Sequence, residues 1–125
     1  MKQHITVEQL KELNLQQLEK YFKIEYNYDG IEQEKFWVEG RYIYTENLKC
    51  AYGNFATTFT IGKMIELLEN NEDVLFVSIE TPTKNVSNYL VGVFYKFKTN
   101  KDDSDFISTE LCDALWQAVK EVLNG

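Results

Sequence analysis

The chain is poor in the residues that most often carry chemistry or break a fold. It has one histidine, one arginine, two cysteines, one proline and six glycines in 125 residues. With His4 as the sole histidine, in a segment expected to fray, neither a histidine-based acid/base pair nor a multi-histidine metal site can be built. Cys50 and Cys112 lack C-x-x-C spacing, which removes zinc-ribbon and dithiol redox motifs. Each reads as a small buried residue with a free thiol in a reducing compartment. Scarce proline and glycine leave no room for a linker, so one domain spanning 1–125 is expected. The glycines Gly30, Gly40, Gly53 and Gly62 are isolated, so no phosphate-cradling loop exists. No apolar run approaches the roughly 18 residues of a membrane helix, and Met1 to Gln9 holds no apolar signal core. A cytoplasmic setting is therefore expected.

Positive charge is also short. Acidic residues outnumber basic ones by 20 to 13, for a formal net charge of −7. A surface of that sign does not bind the nucleic-acid backbone directly, nor an anionic membrane. It suits solubility, a basic protein partner or imitation of a nucleic acid. Because Arg41 is the only arginine, a dedicated bidentate phosphate site is also disfavoured.

What is present is a globular, aromatic-rich pattern: 44% of residues are hydrophobic and 14% aromatic. Thr6-Val7-Glu8-Gln9 is a capping box, and Asn14 with Gln17 makes a second. The apolar phase breaks at Asn14, giving two short helices, about 7–13 and 15–23. Ile24, Tyr26 and Tyr28 then alternate with polar residues up to the hairpin turn Asp29-Gly30. Residues 31–38 form the return strand, Glu39-Gly40 a further turn, and Arg41 to Thr45 a third strand. Residues 46–59 are short extended pieces with a turn at Gly53-Asn54. Thr60 caps a helix at about 61–71, ended by Asn70-Asn71. Val74 to Ile79 and Asn88 to Lys98 read as a hairpin around the loop Thr81-Pro82-Thr83-Lys84-Asn85. Tyr89, Val91, Val93, Tyr95 and Phe97 share one strand face. A polar loop follows at 99–105, and a last helix starts near Ser108.

The expected architecture is α+β: an antiparallel meander plus hairpin, with helices at the N-terminus, middle and C-terminus covering one sheet face. Leu111, Leu115, Val119, Ile65, Leu68, Val77, Val91 and Val93 are the expected core.

Few constellations invite a catalytic or metal reading. Asp102-Asp103-Ser104-Asp105 lacks the glycine and closing glutamate of a helical calcium loop, and reads as a solvated loop beside a helix N-terminus. Glu32 and Glu34, with Glu39 near them, read as the polar face of a half-covered sheet. Thr60-Ile61-Gly62-Lys63 could hold an anion at a helix start but lacks the Walker pattern. No cofactor is implied, and no enzyme of the histidine, metal or nucleotide-motif kinds.

Aromatic density is the strongest functional signal. Phe36, Trp37, Tyr42, Tyr44, Tyr52, Phe55 and Phe59 fall within 24 residues. Part of this set must pack the sheet, since aromatics favour strands. The remainder is suited to an interface. A two-residue turn at Glu39-Gly40 would oppose Trp37 to Tyr42 and Val38 to Arg41. Trp37, Arg41, Tyr42 and Tyr44 are accordingly the candidate binding site, with Trp37, Tyr42 and Tyr44 on one face.

Two helical blocks resemble small accessory proteins of phages and prophages of clostridia and related Firmicutes. They are Thr60-Ile61-Gly62-Lys63-Met64-Ile65-Glu66-Leu67-Leu68-Glu69 and Leu111-Cys112-Asp113-Ala114-Leu115-Trp116-Gln117-Ala118-Val119-Lys120-Glu121-Val122-Leu123. Thr6-Val7-Glu8-Gln9-Leu10 is similar to their opening helix. The resemblance covers about a quarter of the chain. It implies a phage accessory protein in the host cell and carries no catalytic residue. Three roles fit: a binder and inhibitor of a host anti-phage defence protein, a sponge for a small nucleotide signal, and a structural or morphogenetic component. Self-association is compatible with all three.

Overall fold

The computed structural model describes residues 1–14, 16–18, 20–21, 31–32, 35–38, 41–44 and 56–124, those between 31 and 44 as backbone. It is an α+β fold with two three-stranded antiparallel sheets.

The first helix, α1 (Val7–Leu10), is a single turn. A helix this short does not hold itself together in water. Its termini and neighbours do so. Thr6 Oγ1 accepts the Gln9 N–H at 3.1 Å, and Gln9 Oε1 accepts the Thr6 N–H at 3.0 Å, closing the expected capping box. The second box also forms, with Asn14 and Gln17 exchanging bonds of 2.9 Å each. Residues 16–18 and 20–21 are helical; 22 and 23 lie outside the described residues.

The N-terminus was expected to fray and does not. Ile5 N–H donates to Phe59 O, Ile61 N–H donates to Gln3 O, and His4 bridges Thr60 as a strand would. Ile5 is fully buried. Lys2 Nζ closes the clasp on Asp113 at 2.6 Å and on Gln9 at 2.7 Å. The alternation of Gln3, His4 and Ile5 is too short to read as a strand, so this pairing left no periodic signal.

The first sheet has the order β1 (Ile31–Glu32), β2 (Lys35–Val38), β3 (Arg41–Tyr44). Glu32 pairs directly with Lys35, and Ile31 with Phe36. This is an antiparallel pair of two strands where one strand over 31–38 was expected. Opposite charges and apolar residues fall at its paired positions, a combination that favours the pairing. The expected strand at 24–28, the turns Asp29-Gly30 and Glu39-Gly40, and the reading of 46–55 lie outside the described residues; 56–59, expected to be extended, form a turn in which Phe59 N–H donates to Ala56 O.

The helix α2 (Ile61–Glu69) starts where expected, with Thr60 Oγ1 accepting the Lys63 N–H at 3.1 Å, and ends at Asn70. Asn71 is buried and turns the chain into the next strand, its Oδ1 accepting the Asp73 N–H. The second sheet follows: β4 (Val74–Glu80), β5 (Tyr89–Tyr95) and β6 (Ser104–Ser108), with β5 central. The β4–β5 hairpin and its loop were expected. Strand β6 was not: residues 104–105 had been assigned to a polar loop and 108 to a helix start. The apolar residues of β6, Phe106 and Ile107, are adjacent and do not alternate with polar ones, which hid it. The last helix, α3 (Leu111–Asn124), begins three residues later than expected, its first turn closing from Ala114 N–H to Glu110 O.

Helices α2 and α3 pack together on one face of this sheet. The described core joins Val91, Val93 and Tyr95 of β5 to Met64 and Leu68 of α2 and to Leu115, Trp116, Val119 and Val122 of α3. Of the expected core, Leu68, Leu115, Val119, Val91 and Val93 are fully inside; Ile65, Val77 and Leu111 are partly buried against it. Trp116 was missed. It is buried edge-on to Phe59 with ring centroids 5.4 Å apart, and its Nε1–H donates to Glu12. Phe97 is the opposite case. It was placed on the inner face of β5 and stands fully exposed. The strand ends at Tyr95, and a 3-10 turn at Phe97–Thr99 breaks the alternation, closed by Thr99 on Lys96 O and by Asn100 at φ 55°.

Candidate functional site

The expected site residues fall on the first sheet. Strands β2 and β3 pair Trp37 with Tyr42, Val38 with Arg41, and Lys35 with Tyr44. That is the register expected for a two-residue connection. The pleat puts positions 35, 37, 42 and 44 on one face and 36, 38, 41 and 43 on the other. Arg41 thus falls on the face opposite Tyr42 and Tyr44.

A second surface emerges from the packing of the second sheet. Its inner face is covered by α2 and α3, while its outer face carries no helix among the described residues. Cross-strand pairing arranges that outer face as three rows. Glu80, Leu90 and Ile107 form one; Ser78, Gly92 and Asp105 the next; Phe76 and Phe94 the third. A β-bulge between Val74 and Phe76 sets this up. Without it, Val74 and Phe76 would share a face; with it, Val74 enters the core and Phe76 turns outward. Phe76 stacks on Phe94 with centroids 4.3 Å apart and planes 12° off parallel.

The outer face is apolar and open. Leu75, Phe76 and Ile107 are each at least half exposed, and Phe97 stands fully clear of the chain. Two open grooves bound it. One runs from Leu90 and Ile107 to Val86 and Thr83 in the β4–β5 loop. The other runs from the Phe76–Phe94 stack past Phe97 to Lys96, Lys101, Asp102 and Asp103. Sequence reading missed this face because β6 was missed and the bulge has no residue signature. The alternation of Leu90, Gly92 and Phe94 was its one available signal.

The acidic run is built into this edge. Asp103 Oδ1 accepts the Tyr95 N–H at 3.0 Å, and Ser104 and Asp105 belong to β6. It does not sit at a helix N-terminus as expected, because the intervening strand separates it from α3. Among the described residues, no three of His, Cys, Asp or Glu are grouped to hold a metal. Behind the same edge, Tyr95 is held protonated. Burial, the Glu121 charge and a 3.3 Å hydrogen bond to Glu121 push its phenol up to about 12. Lys101 lies over its ring and pairs with Asp73 at 3.2 Å.

The remaining candidates are occupied structurally. Cys112 is fully buried and burial pushes its thiol up to about 11, the reverse of nucleophile activation. His4 is exposed, with its Nδ1 2.8 Å from Ile5 O. At the start of α2, the Lys63 N–H that an anion would need is taken by Thr60. Cys50, Glu34 and Glu39 lie outside the described residues.

The fold and this face define an α+β protein with one helix-covered sheet whose opposite face, among the described residues, is uncovered and largely apolar. Comparison with protein-family models, with curated proteins and with solved structures finds no match to the chain. The phage resemblance therefore rests on its helix blocks alone. No helix of the described residues is long and apolar enough to cross a membrane.

Proposed function

We propose that the chain is a non-catalytic phage accessory protein that acts in the host cytoplasm by binding, and so blocking, a host anti-phage defence protein. The observation that carries this reading is the outer face of the second sheet. Contiguous exposed apolar surface with a polar rim is the mark of a protein contact, and here Phe76, Phe94, Leu90 and Ile107 are bordered by Glu80, Asp102, Asp103 and Asp105. The net charge of −7 suits a basic partner. The Trp37, Arg41, Tyr42 and Tyr44 positions are a second candidate contact on the first sheet.

Sequestration of a nucleotide signal is less well supported. The groove that joins aromatics to lysines also contains Asp102 and Asp103, and Lys101 is committed to Asp73. Carboxylates in that position oppose a phosphate. The test is affinity capture from host lysate with the wild type and Phe76→Glu, read by mass spectrometry for proteins and nucleotides. A stoichiometric protein lost in Phe76→Glu, at an unchanged fold, is expected. A protein retained equally by the variant would remove the face from the contact, and a captured nucleotide would replace the reading.

A further inference from the structure

The middle row of the outer face differs from its neighbours. Leu90 and Ile107 lie on one side and Phe76 and Phe94 on the other, yet the row between them is Ser78, Gly92 and Asp105. A Cβ placed on Gly92 would lie 2.7 Å from Ser78 Oγ, 3.2 Å from Asp105 Oδ1 and 3.1 Å from the Phe94 ring edge. A hydroxyl, a carboxylate and an aromatic edge thus converge on one point of an otherwise apolar surface. Asp105 is exposed, and among the described residues no lysine or arginine pairs with it. Glu80, one row away, is likewise exposed and without an ion pair among them. The lysines of this surface, Lys96 and Lys101, line the groove beyond the Phe76–Phe94 stack. That groove also holds Asp102 and Asp103, and Lys101 is paired with Asp73, so Asp105 and Glu80 are the carboxylates of the face left without a cationic partner among the described residues.

We propose that this row is the seat of an arginine side chain presented by a basic partner protein. Arginine is the side chain whose chemistry matches the carboxylate and the hydroxyl together. Its planar fork donates two parallel hydrogen bonds to a carboxylate, and a further N–H reaches a hydroxyl. Lysine offers only a point charge to the same groups. Apolar residues flanking the arginine in the partner would rest on Leu90 and Ile107 to one side and on Phe76 and Phe94 to the other. The proposal rests on the protein-binding reading and names the partner chemistry at that face.

The test uses the full chain, labelled for amide NMR and titrated with acetyl-Leu-Arg-Leu-amide. The control peptide carries citrulline, the neutral isostere of arginine. Saturable shifts at the Ser78, Gly92 and Asp105 amides are expected. Replacing arginine by citrulline, or Asp105→Asn in the protein, should weaken binding by about tenfold, the loss of one charge-assisted pair. The amide spectrum away from the face reports that Asp105→Asn is folded. Equal binding of the two peptides, equal binding by Asp105→Asn, shifts confined to other surfaces, or no saturable shift overturns the arginine seat. If the seat fails while capture from lysate is still lost in Phe76→Glu, the protein-binding reading survives it; if that capture persists, that reading fails independently.

Discussion

Steric closeness fixes one of the two described glycines and not the other. Gly92 sits where an added methyl group would meet the Ser78 hydroxyl at 2.7 Å and the Phe94 ring at 3.1 Å. Gly92→Ala is expected to cost about 1–3 kcal/mol, as overpacked sites do. Gly62, in the first turn of α2, has nothing within 4 Å of the same methyl position. Gly62→Ala should stabilise by about 0.5 kcal/mol through the unfolded chain. Urea unfolding of the two variants checks both signs. At Asp113, burial raises the carboxyl but is outweighed by the hydrogen bonds and charge of Lys2 and the amide of Gln9, so its folded value is depressed. A depressed carboxyl stabilises above its unfolded value of about 3.9 and loses that contribution as pH falls through the folded value. Asp113→Asn should thus be less stable than wild type near neutrality, with the difference vanishing in acid. Tyr95 works in the other direction. Its phenol is raised to about 12 from 10.0, so stability is intact below pH 10 and declines as pH rises toward 12. Tyr95→Phe should flatten that alkaline decline in denaturation curves taken across the range.

At the scale of elements, legibility followed the strength of the local signal. The caps Thr6, Asn14 and Thr60 were readable because side-chain oxygen, spacing and apolar phase agree at each. The β4–β5 hairpin was readable from its alternation, and the Trp37–Tyr42 register from the expected two-residue turn. Strand β6 was not readable. Its pairing with β5 supplies the stabilisation that its own polar residues do not, so tertiary context decides it. The bulge at β4, which turns Phe76 outward, is likewise invisible in a run of apolar residues. The candidate surface depends on both features, and this is why the sequence pointed to the first sheet and not to the second. Trp116 illustrates the reverse cost. On α3 it lies beside the expected inward stripe, yet it fills the space between Phe59 and Glu12 and is 1% exposed. Trp116→Ala should cost on the order of 3–5 kcal/mol, a large share of the roughly 5–15 kcal/mol available to a domain. A fall in the denaturation midpoint, with loss of the native near-UV signal, is the expected readout.

For the whole molecule, the asymmetry of the second sheet is the central fact. One face is closed by α2 and α3; the other exposes Phe76, Ile107 and the apolar residues around them. Hydrophobic surface of this kind carries a solubility risk that selection removes unless it is used. Its acidic border and the net charge of −7 oppose self-association through like-charge repulsion and favour a basic partner. The measurement that tests this most directly is hydrogen exchange of the chain with and without its captured partner. The account predicts slowed exchange at 76–80, 90–97 and 104–108, with 35–38 and 41–44 changed little. Slowed exchange confined to 35–44, with the second sheet unaltered, would contradict it.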